Sequence, residues 1–266
     1  MQTEVNVSKE ILVSVLSDDL FSLNWMSLLL VRDWRTRVFT EGELFSPLQE
    51  NDENMRYVNL VVADIDSFIH NTNLFNNLNR ILSENQSILV VGVGSRIEPL
   101  FFQRVQTANI GGYLLKSEIS SSLGWAVSMA AEGSVVFTPG THHAAFSLGF
   151  HSVKPVRVIK SRIFPGMTDR QSEIARLAII FSVGRRDLAD ELKISDQWSY
   201  GVVSELYEKL GLNELAHDKD EIIAYLEHDP IIKSHIDEIL KEKGSSKKAK
   251  DLETLAFHIL TLPEII

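Results

Sequence analysis

Short apolar runs rich in β-branched residues recur along the first half of the chain and alternate with segments of helical spacing. The apolar runs cover residues 11–16, 59–63, 88–93 and 112–115, with a further short run at 37–40. The segments with helical spacing cover residues 22–32, 67–83, 97–107 and 117–132. Near-continuous apolarity is typical of strands covered on both faces. The alternation predicts an α/β domain with a doubly wound, parallel, five-stranded sheet.

The second half of the chain shows helical spacing after a stretch without clear periodicity. Residues 139–167 contain three of the seven prolines, so residues 141–166 are predicted to form a linker. Thr168 is suited to begin a helix and Gly184 to end one. The predicted order is a sheet domain at 1–140, the linker, a helical domain at 167–213 and a helical extension at 214–266.

Charge and composition restrict the functions that this chain can have. The formal net charge is −10, and the one cationic stretch at residues 151–167 contains four basic residues and no acid. Because phosphate attraction supplies most non-specific affinity for nucleic acid, any cationic surface for DNA must be local. The sequence contains no cysteine, which excludes disulfides and thiolate metal sites. The apolar runs are too short to span a bilayer and no secretory signal is visible, so we expect a cytoplasmic protein.

Two predicted strands are closed by residues that can carry phosphoryl-transfer chemistry. Asp64 ends the run LVVAD, and Lys116 ends the run GGYLLK. Together with residues 11–30 and 109–140, these runs resemble the receiver domains of response regulators of the NarL/LuxR type. The resemblance implies a flavodoxin-like receiver fold in which Asp64 accepts a phosphoryl group and Lys116 pairs with it. It also places Tyr113 at the aromatic switch position.

Two positions of the implied receiver pocket depart from the family pattern. The family holds Mg²⁺ with an acidic pair after the first strand, but the gap-free alignment gives Ser17 and Asp18 here. Shifting by one residue gives Asp18 and Asp19, but the following helix then falls out of phase. Asp18 and Asp64 are therefore the candidate ligands of an incomplete Mg²⁺ site, and no other cofactor is predicted. Gly92 stands where the family has a hydroxyl group that senses the phosphate.

The pair of Asp64 and Lys116 is consistent with two interpretations. It is either a phosphorylation site or a structural ion pair at the edge of the sheet. The loss of one carboxylate should weaken binding of the metal ion. The loss of the sensing hydroxyl should uncouple any phosphate from Tyr113. We predict an atypical receiver that is not controlled by ordinary phosphorylation.

Residues 167–212 combine signals for helix ends with a regular apolar framework. Val203, Leu206 and Leu210 recur at helical spacing. This stretch resembles the LuxR-type helix-turn-helix domain across its first three helices. Its matching residues are Thr168, Arg170, Glu173, Gly184, Leu188, Ala189, Leu192, Ile194, Ser195, Val203, Leu206, Lys209, Leu210 and Gly211. The resemblance implies a fold and a recognition helix that enters the major groove.

The implied recognition helix has few residues that can read bases. Its exposed face is predicted to contain Gln197, Tyr200, Gly201, Ser204 and Glu208, and of these only Gln197 is of a type that commonly reads base edges. Cations nearby could contact phosphates instead. The candidate DNA-binding residues are Arg185, Arg186, Lys193, Gln197, Tyr200, Ser204 and Lys209.

The sequence thus suggests two functions of different classes and argues against a third. The first is a transcriptional regulator of the response-regulator type, which binds duplex DNA as a homodimer. The alternative is a protein-interaction or scaffold module whose helix-turn-helix domain no longer reads DNA. Residues 214–266 either extend the core or offer a surface to a protein partner. No set of a nucleophile and a base is visible, so an enzyme is not predicted.

Overall fold

The computed structural model describes residues 11–42, 58–68, 72–84, 87–105, 109–164, 166–210, 212 and 248–266. The chain divides into two compact units. The sheet unit consists of Met1–Arg162 and Leu262–Ile266, and the helical unit consists of Ile163–Thr261. Within the described residues, every helix is too short or too polar to traverse a membrane.

In the residues that the structure describes, the sheet unit has eight strands, of which the first seven are parallel and the last is antiparallel to its neighbour. Their spatial order is β2-β1-β3-β4-β5-β6-β7-β8. The strands are β1 (Ile11–Leu16), β2 (Thr36–Gly42), β3 (Leu60–Asp64), β4 (Leu89–Gly94), β5 (Ile110–Leu115), β6 (Val135–Phe137), β7 (Val156–Lys160) and β8 (Glu264–Ile265). The predicted parallel α/β sheet is confirmed, and its first five strands have the doubly wound order 2-1-3-4-5. The predicted number of five strands is wrong.

Seven helices connect the strands of the sheet unit in the described residues. They are α1 (Leu20–Arg32), α2 (Ile65–Phe68), α3 (Thr72–Glu84), α4 (Pro99–Arg104), α5 (Lys116–Ile119), α6 (Leu123–Ala131) and α7 (Pro139–Ser147). β3 is buried along its whole length, as expected for an apolar strand covered on both faces. One side of the sheet packs on an aromatic core that includes Phe75, Phe101 and Phe137.

Residues 141–166, which the sequence predicts as a linker, contribute a helix and a strand to the sheet unit. Pro139 occupies the first turn of α7, where its missing N–H costs no hydrogen bond. Pro155 directly precedes β7, and its carbonyl accepts a hydrogen bond from the N–H of Val135 at 2.8 Å. Pro139 and Pro155 thus mark the start of regular elements, and the predicted linker is wrong for this part of the chain.

The end of the chain also differs from the predicted helical extension. β8 pairs with β7, with Ile265 opposite Ile159 and Glu264 opposite Lys160. The N–H of Ile266 donates to the carbonyl of Val158 at 2.9 Å. The chain therefore leaves the sheet unit after β7 and returns to the same edge at β8. Residues 214–247 of the predicted extension lie outside the described residues.

The helical unit contains α8 (Asp169–Ala175), a π-helical segment (Arg176–Ile180), α9 (Arg185–Leu192), α10 (Asp196–Lys209) and α11 (Lys248–Leu260). Thr168 caps α8 by accepting from the N–H of Gln171, and Gly184 directly precedes α9. Lys193 adopts a left-handed conformation with φ of 55°, which ends α9. The hydroxyl of Ser195 then caps α10. A turn of three residues thus separates α9 from α10.

Candidate functional site

The polar residues of the candidate site meet at the carboxyl end of the parallel strands. Ser17 follows β1, Asp64 ends β3, Asp66 lies in the short helix α2, Ser95 follows β4 and Lys116 follows β5. The carboxyl ends of parallel strands meet at one edge of a sheet, and polar sites form there in doubly wound folds. We call Ser17, Ser22, Asp64, Asp66 and Lys116 the Asp64 cluster.

Both carboxylate oxygens of Asp64 accept hydrogen bonds from protein groups. The hydroxyl of Ser17 donates to Oδ2 at 2.7 Å. The ammonium of Lys116 donates to Oδ1 at 2.9 Å, and the backbone N–H of Asp66 reaches the same oxygen at 3.3 Å. The Asp64 side chain is only 1% exposed. The carboxylate is therefore enclosed by donors and shielded from solvent.

The ammonium group of Lys116 makes three hydrogen bonds. It donates to Asp64 Oδ1, to Asp66 Oδ2 and to Ser22 Oγ, each at 2.9 Å. Burial alone would lower the pKa of Lys116, but its hydrogen bonds to the two carboxylates outweigh burial and hold this pKa above its ordinary value. Because an ammonium has three N–H donors, its donor capacity is used within the cluster.

Asp66 belongs to the site but is not among the residues predicted from the sequence. Its carboxylate oxygens accept from the backbone N–H of Ser95, at 3.0 Å and 2.8 Å, in addition to the contact with Lys116. Burial alone would raise the pKa of Asp66, but hydrogen bonds from Lys116 and Ser95 hold it below its ordinary value. The signal for this residue was a second acid two positions after the acid that ends β3.

Gly92 and Tyr113 lie opposite each other on the neighbouring strands β4 and β5. A Cβ atom at Gly92 would lie 3.0 Å from side-chain atoms of Ile65 and Phe101, so a serine or threonine would force these apolar groups to shift. The buried Tyr113 hydroxyl donates to the carbonyl of Arg96 at 2.8 Å and accepts from the N–H of Glu98 at 2.9 Å. Burial raises the pKa of Tyr113 well above its ordinary value.

Asp18 and Asp19 are exposed and make no direct contact with Asp64. The N–H of Asp18 donates to Ser67 Oγ at 3.2 Å. The carboxylate of Asp19 caps α1 by accepting from the N–H of Ser22 at 2.8 Å, and hydrogen bonds from the side chain and then the backbone of Ser22 hold the pKa of Asp19 below its ordinary value. The residue of this turn whose side chain contacts Asp64 is Ser17.

The donor set of the Asp64 cluster does not fit a magnesium ion. Mg²⁺ binds through carboxylate oxygens and water in octahedral geometry. Here a hydroxyl group and an ammonium group already bind the two oxygens of Asp64. Among the described residues, no group of three His, Asp or Glu side chains is placed to hold a metal ion.

The second candidate surface is the outward face of α10 in the helical unit. Gln197, Tyr200, Gly201, Ser204 and Glu208 are all exposed, as the sequence predicts. Exposed fractions reach 63% for Tyr200, and 51% for the neighbouring Trp198. The guanidinium carbon of Arg185 lies 6.0 Å from the centre of the Tyr200 ring, the outer limit for a cation–π contact. This face presents large aromatic rings and few base-reading groups.

The candidate phosphate-binding cations differ in their availability. Arg186 and Lys193 are exposed, and Arg185 is half-buried. Lys209 is exposed, but its ammonium donates to Gln171 Oε1 at 2.9 Å and to the carbonyl of Gly166 at 3.3 Å. Residues 185–209 contain four basic and six acidic side chains. The surroundings of α10 are therefore acidic overall.

No family model matches this chain, and no curated protein matches it. Among solved structures, the response regulator ChrA of a heme-sensing two-component system is 22% identical, with a TM-score of 0.39 over 76% of this chain and 91% of that chain. RcsB from Salmonella enterica serovar Typhimurium, bound to a promoter, is 18% identical, with a TM-score of 0.42 over 77% of this chain and 98% of that chain. The isolated REC domain of RcsB is 16% identical, with a TM-score of 0.39 over 50% of this chain and 97% of that chain. TM-scores this low do not indicate the function of this chain.

Proposed function

We propose that this protein is a transcriptional regulator of the response-regulator type, in which the receiver-like sheet unit operates without ordinary phosphorylation of Asp64. The observation that carries the proposal is the enclosure of the Asp64 carboxylate. Phosphoryl transfer needs an accessible nucleophilic oxygen and a metal ion that neutralises the phosphoryl charge, whereas the Asp64 side chain is 1% exposed. Both Asp64 oxygens accept from Ser17 and Lys116, and the donor set does not fit Mg²⁺.

Incubation with acetyl phosphate and Mg²⁺, followed by intact-mass measurement, tests this part of the proposal. The wild-type chain should gain no phosphoryl adduct. Ser17→Asp supplies the carboxylate that the metal site lacks. The amount of adduct on this variant is therefore the comparison for the wild-type chain. Asp64→Asn is the negative control, because it removes the acceptor. An adduct on Asp64 of the wild-type chain would contradict the proposal.

The helical unit is proposed to be a helix-turn-helix domain that binds duplex DNA as a homodimer. Its α9 and α10 are joined by a turn of three residues, and the face of α10 that would enter the groove is exposed. Arg185, Arg186 and Lys193 lie on α9 and in the turn, where they could contact phosphates. Gln197, Tyr200 and Ser204 would then meet the groove itself.

Retention of a random-sequence duplex at increasing salt concentration tests the DNA-binding part. Affinity should fall linearly on a log–log scale, because each phosphate contact releases a counterion. Arg186→Ala and Lys193→Ala should each reduce the slope by about 1. Arg80→Ala is the control, because this exposed arginine lies on α3 of the sheet unit, outside the cationic stretch at residues 151–167. DNA binding is ruled out if the wild-type chain shows no salt-dependent retention.

A protein-interaction module is the second candidate, and one observation favours it. Trp198 and Tyr200 are exposed on α10, within a segment that has more acids than bases. Exposed aromatic residues are enriched at protein interfaces, whereas acids near a groove repel phosphates. Reversing charge with Glu205→Lys and Glu208→Lys separates the two functions. DNA binding should strengthen if α10 faces phosphates, and remain absent if the surface serves only a protein.

A further inference from the structure

The loop between β4 and α4, residues 95–98, is held from two sides. On one side the Asp66 carboxylate accepts from the N–H of Ser95, at 3.0 Å and 2.8 Å. On the other side the Tyr113 hydroxyl donates to the Arg96 carbonyl at 2.8 Å and accepts from the N–H of Glu98 at 2.9 Å. These bonds link the Asp64 cluster to the buried tyrosine through the loop backbone.

Gly94 permits the close approach of these groups. A Cβ atom at this position would lie 3.1 Å from both the Arg96 carbonyl oxygen and the Tyr113 hydroxyl, and 3.5 Å from Asp66 Oδ1. Contacts of 3.1 Å are shorter than ordinary van der Waals distances between carbon and oxygen. A larger residue would therefore push the loop away from Tyr113 and Asp66.

Asp66 binds groups of the kind that stabilise a phosphoryl group, namely a cation and a backbone N–H. A phosphoryl group on Asp64 would carry negative charge that requires a cation and backbone N–H donors. In this chain the cation Lys116 and the N–H of Ser95 both bind the Asp66 carboxylate. The hydroxyl that would couple a phosphoryl group to the tyrosine is also missing, because Gly92 has no side chain.

We propose that Asp66 is a built-in anion that takes the place of the phosphoryl group and holds the 95–98 loop closed over Tyr113. The loop is then fixed in one conformation by the folded chain itself, and Tyr113 stays buried without any modification of Asp64. This inference rests on the proposal that Asp64 is not ordinarily phosphorylated. It assigns to Asp66 a positioning role, since this carboxylate acts on Tyr113 only through the loop.

Hydrogen exchange of the full chain, measured by mass spectrometry or NMR, tests the role of Asp66. In Asp66→Ala the amide of Ser95 should exchange roughly tenfold faster, as expected for the loss of one hydrogen bond to a charged group. The amide of Glu98, which bonds to Tyr113 and not to Asp66, should accelerate with it. Asp66→Asn keeps an oxygen that can accept from Ser95, so it should show a smaller increase.

Asp18→Ala is the matched control, because it removes an exposed carboxylate from the same edge of the sheet without touching the loop. Exchange at Ser95 and Glu98 should stay at the wild-type rate in this variant. If only Ser95 accelerates in Asp66→Ala, Asp66 merely caps that amide and the proposal is overturned. The proposal is also overturned if exchange at Ser95 and Glu98 is equally fast in Asp66→Ala and in Asp18→Ala.

Chemical rescue provides a second measurement that depends on the anion. Sodium acetate supplies a small carboxylate that can enter the space left by Asp66→Ala. Protection of Ser95 and Glu98 should return with acetate and not with sodium chloride at equal ionic strength. Equal exchange in the two salts would count against a built-in anion. An acetyl phosphate adduct on wild-type Asp64 would instead contradict the proposed function, so the two failures are distinguishable.

Discussion

Replacing Lys116 by methionine tests whether the Asp64 cluster is a structural ion network. The substitution keeps most of the apolar stem and removes the hydrogen bonds to Asp64, Asp66 and Ser22. Asp64 is then a carboxylate with 1% exposure whose remaining side-chain donor is Ser17. A buried carboxylate without its cation cannot regain its hydration, so the folded state should lose stability.

The size of the loss follows from how far the pair is buried. Removing one partner of a buried ion pair costs about 3–5 kcal/mol. Lys116 is 20% exposed, so water partly screens its ammonium and we expect a loss of about 3 kcal/mol. Asp64→Asn should cost less, because its amide oxygen can still accept from Ser17 or Lys116. The double variant should cost less than the sum of the single variants, by about 1–3 kcal/mol.

Urea unfolding followed by tryptophan fluorescence measures these losses in the sheet unit, which contains three of the four tryptophans. Lys160→Met is the control, since Lys160 and Glu264 form an ion pair whose side chains are 43% and 52% exposed. Such a pair contributes at most about 1 kcal/mol. The reasoning is refuted if Lys116→Met lowers the free energy of unfolding no more than Lys160→Met does.

Three further predictions concern stability. Gly92→Ser should destabilise the sheet unit by about 1–3 kcal/mol, because its Cβ would lie 3.0 Å from atoms of Ile65 and Phe101; an unchanged urea midpoint would contradict this. Gly201→Ala should stabilise α10 by about 1 kcal/mol, since the added Cβ would meet nothing within 4 Å beyond the adjacent backbone of its own helix, and a lower melting temperature would contradict this. The pKa of Asp66 is lowered by folding, so its stabilising contribution is present above about pH 4 and is lost as pH falls through the folded-state pKa. When the free energy of unfolding is measured with urea at several pH values, Asp66→Asn should therefore lose less stability than the wild type between about pH 7 and pH 3.

The central strands could be predicted because strands that are buried on both faces consist almost entirely of apolar residues. Leu60–Asp64 is buried on both faces, and such strands read as continuous apolar runs. β6, β7 and β8 could not be recognised in the same way. They have three, five and two residues, and β8 is a strand only because it pairs with β7. Pairing between residues about a hundred positions apart leaves no local pattern in the sequence.

The candidate site could be predicted only in part for a related reason. Asp64 ends β3, Tyr113 lies within β5 and Lys116 follows β5, so their neighbourhood follows from the receiver fold that the resemblance implies. Asp66 and Ser22 lie on helices that follow strands, and their contact with Lys116 depends on how those helices sit on the sheet. Side-chain geometry of this kind is a product of packing and is not encoded by spacing along the chain.

The charge balance of the Asp64 cluster explains why its residues belong together. Asp64 and Asp66 bring two negative charges to one ammonium, and Asp66 also accepts a hydrogen bond from the N–H of Ser95. A third carboxylate at position 17 would add repulsion that Lys116 alone could not offset, and a divalent cation would then be required. Ser17 supplies a neutral donor instead, so the cluster is satisfied by its own groups. The hydroxyl at position 17 and the carboxylate of Asp66 thus belong to one electrostatic arrangement.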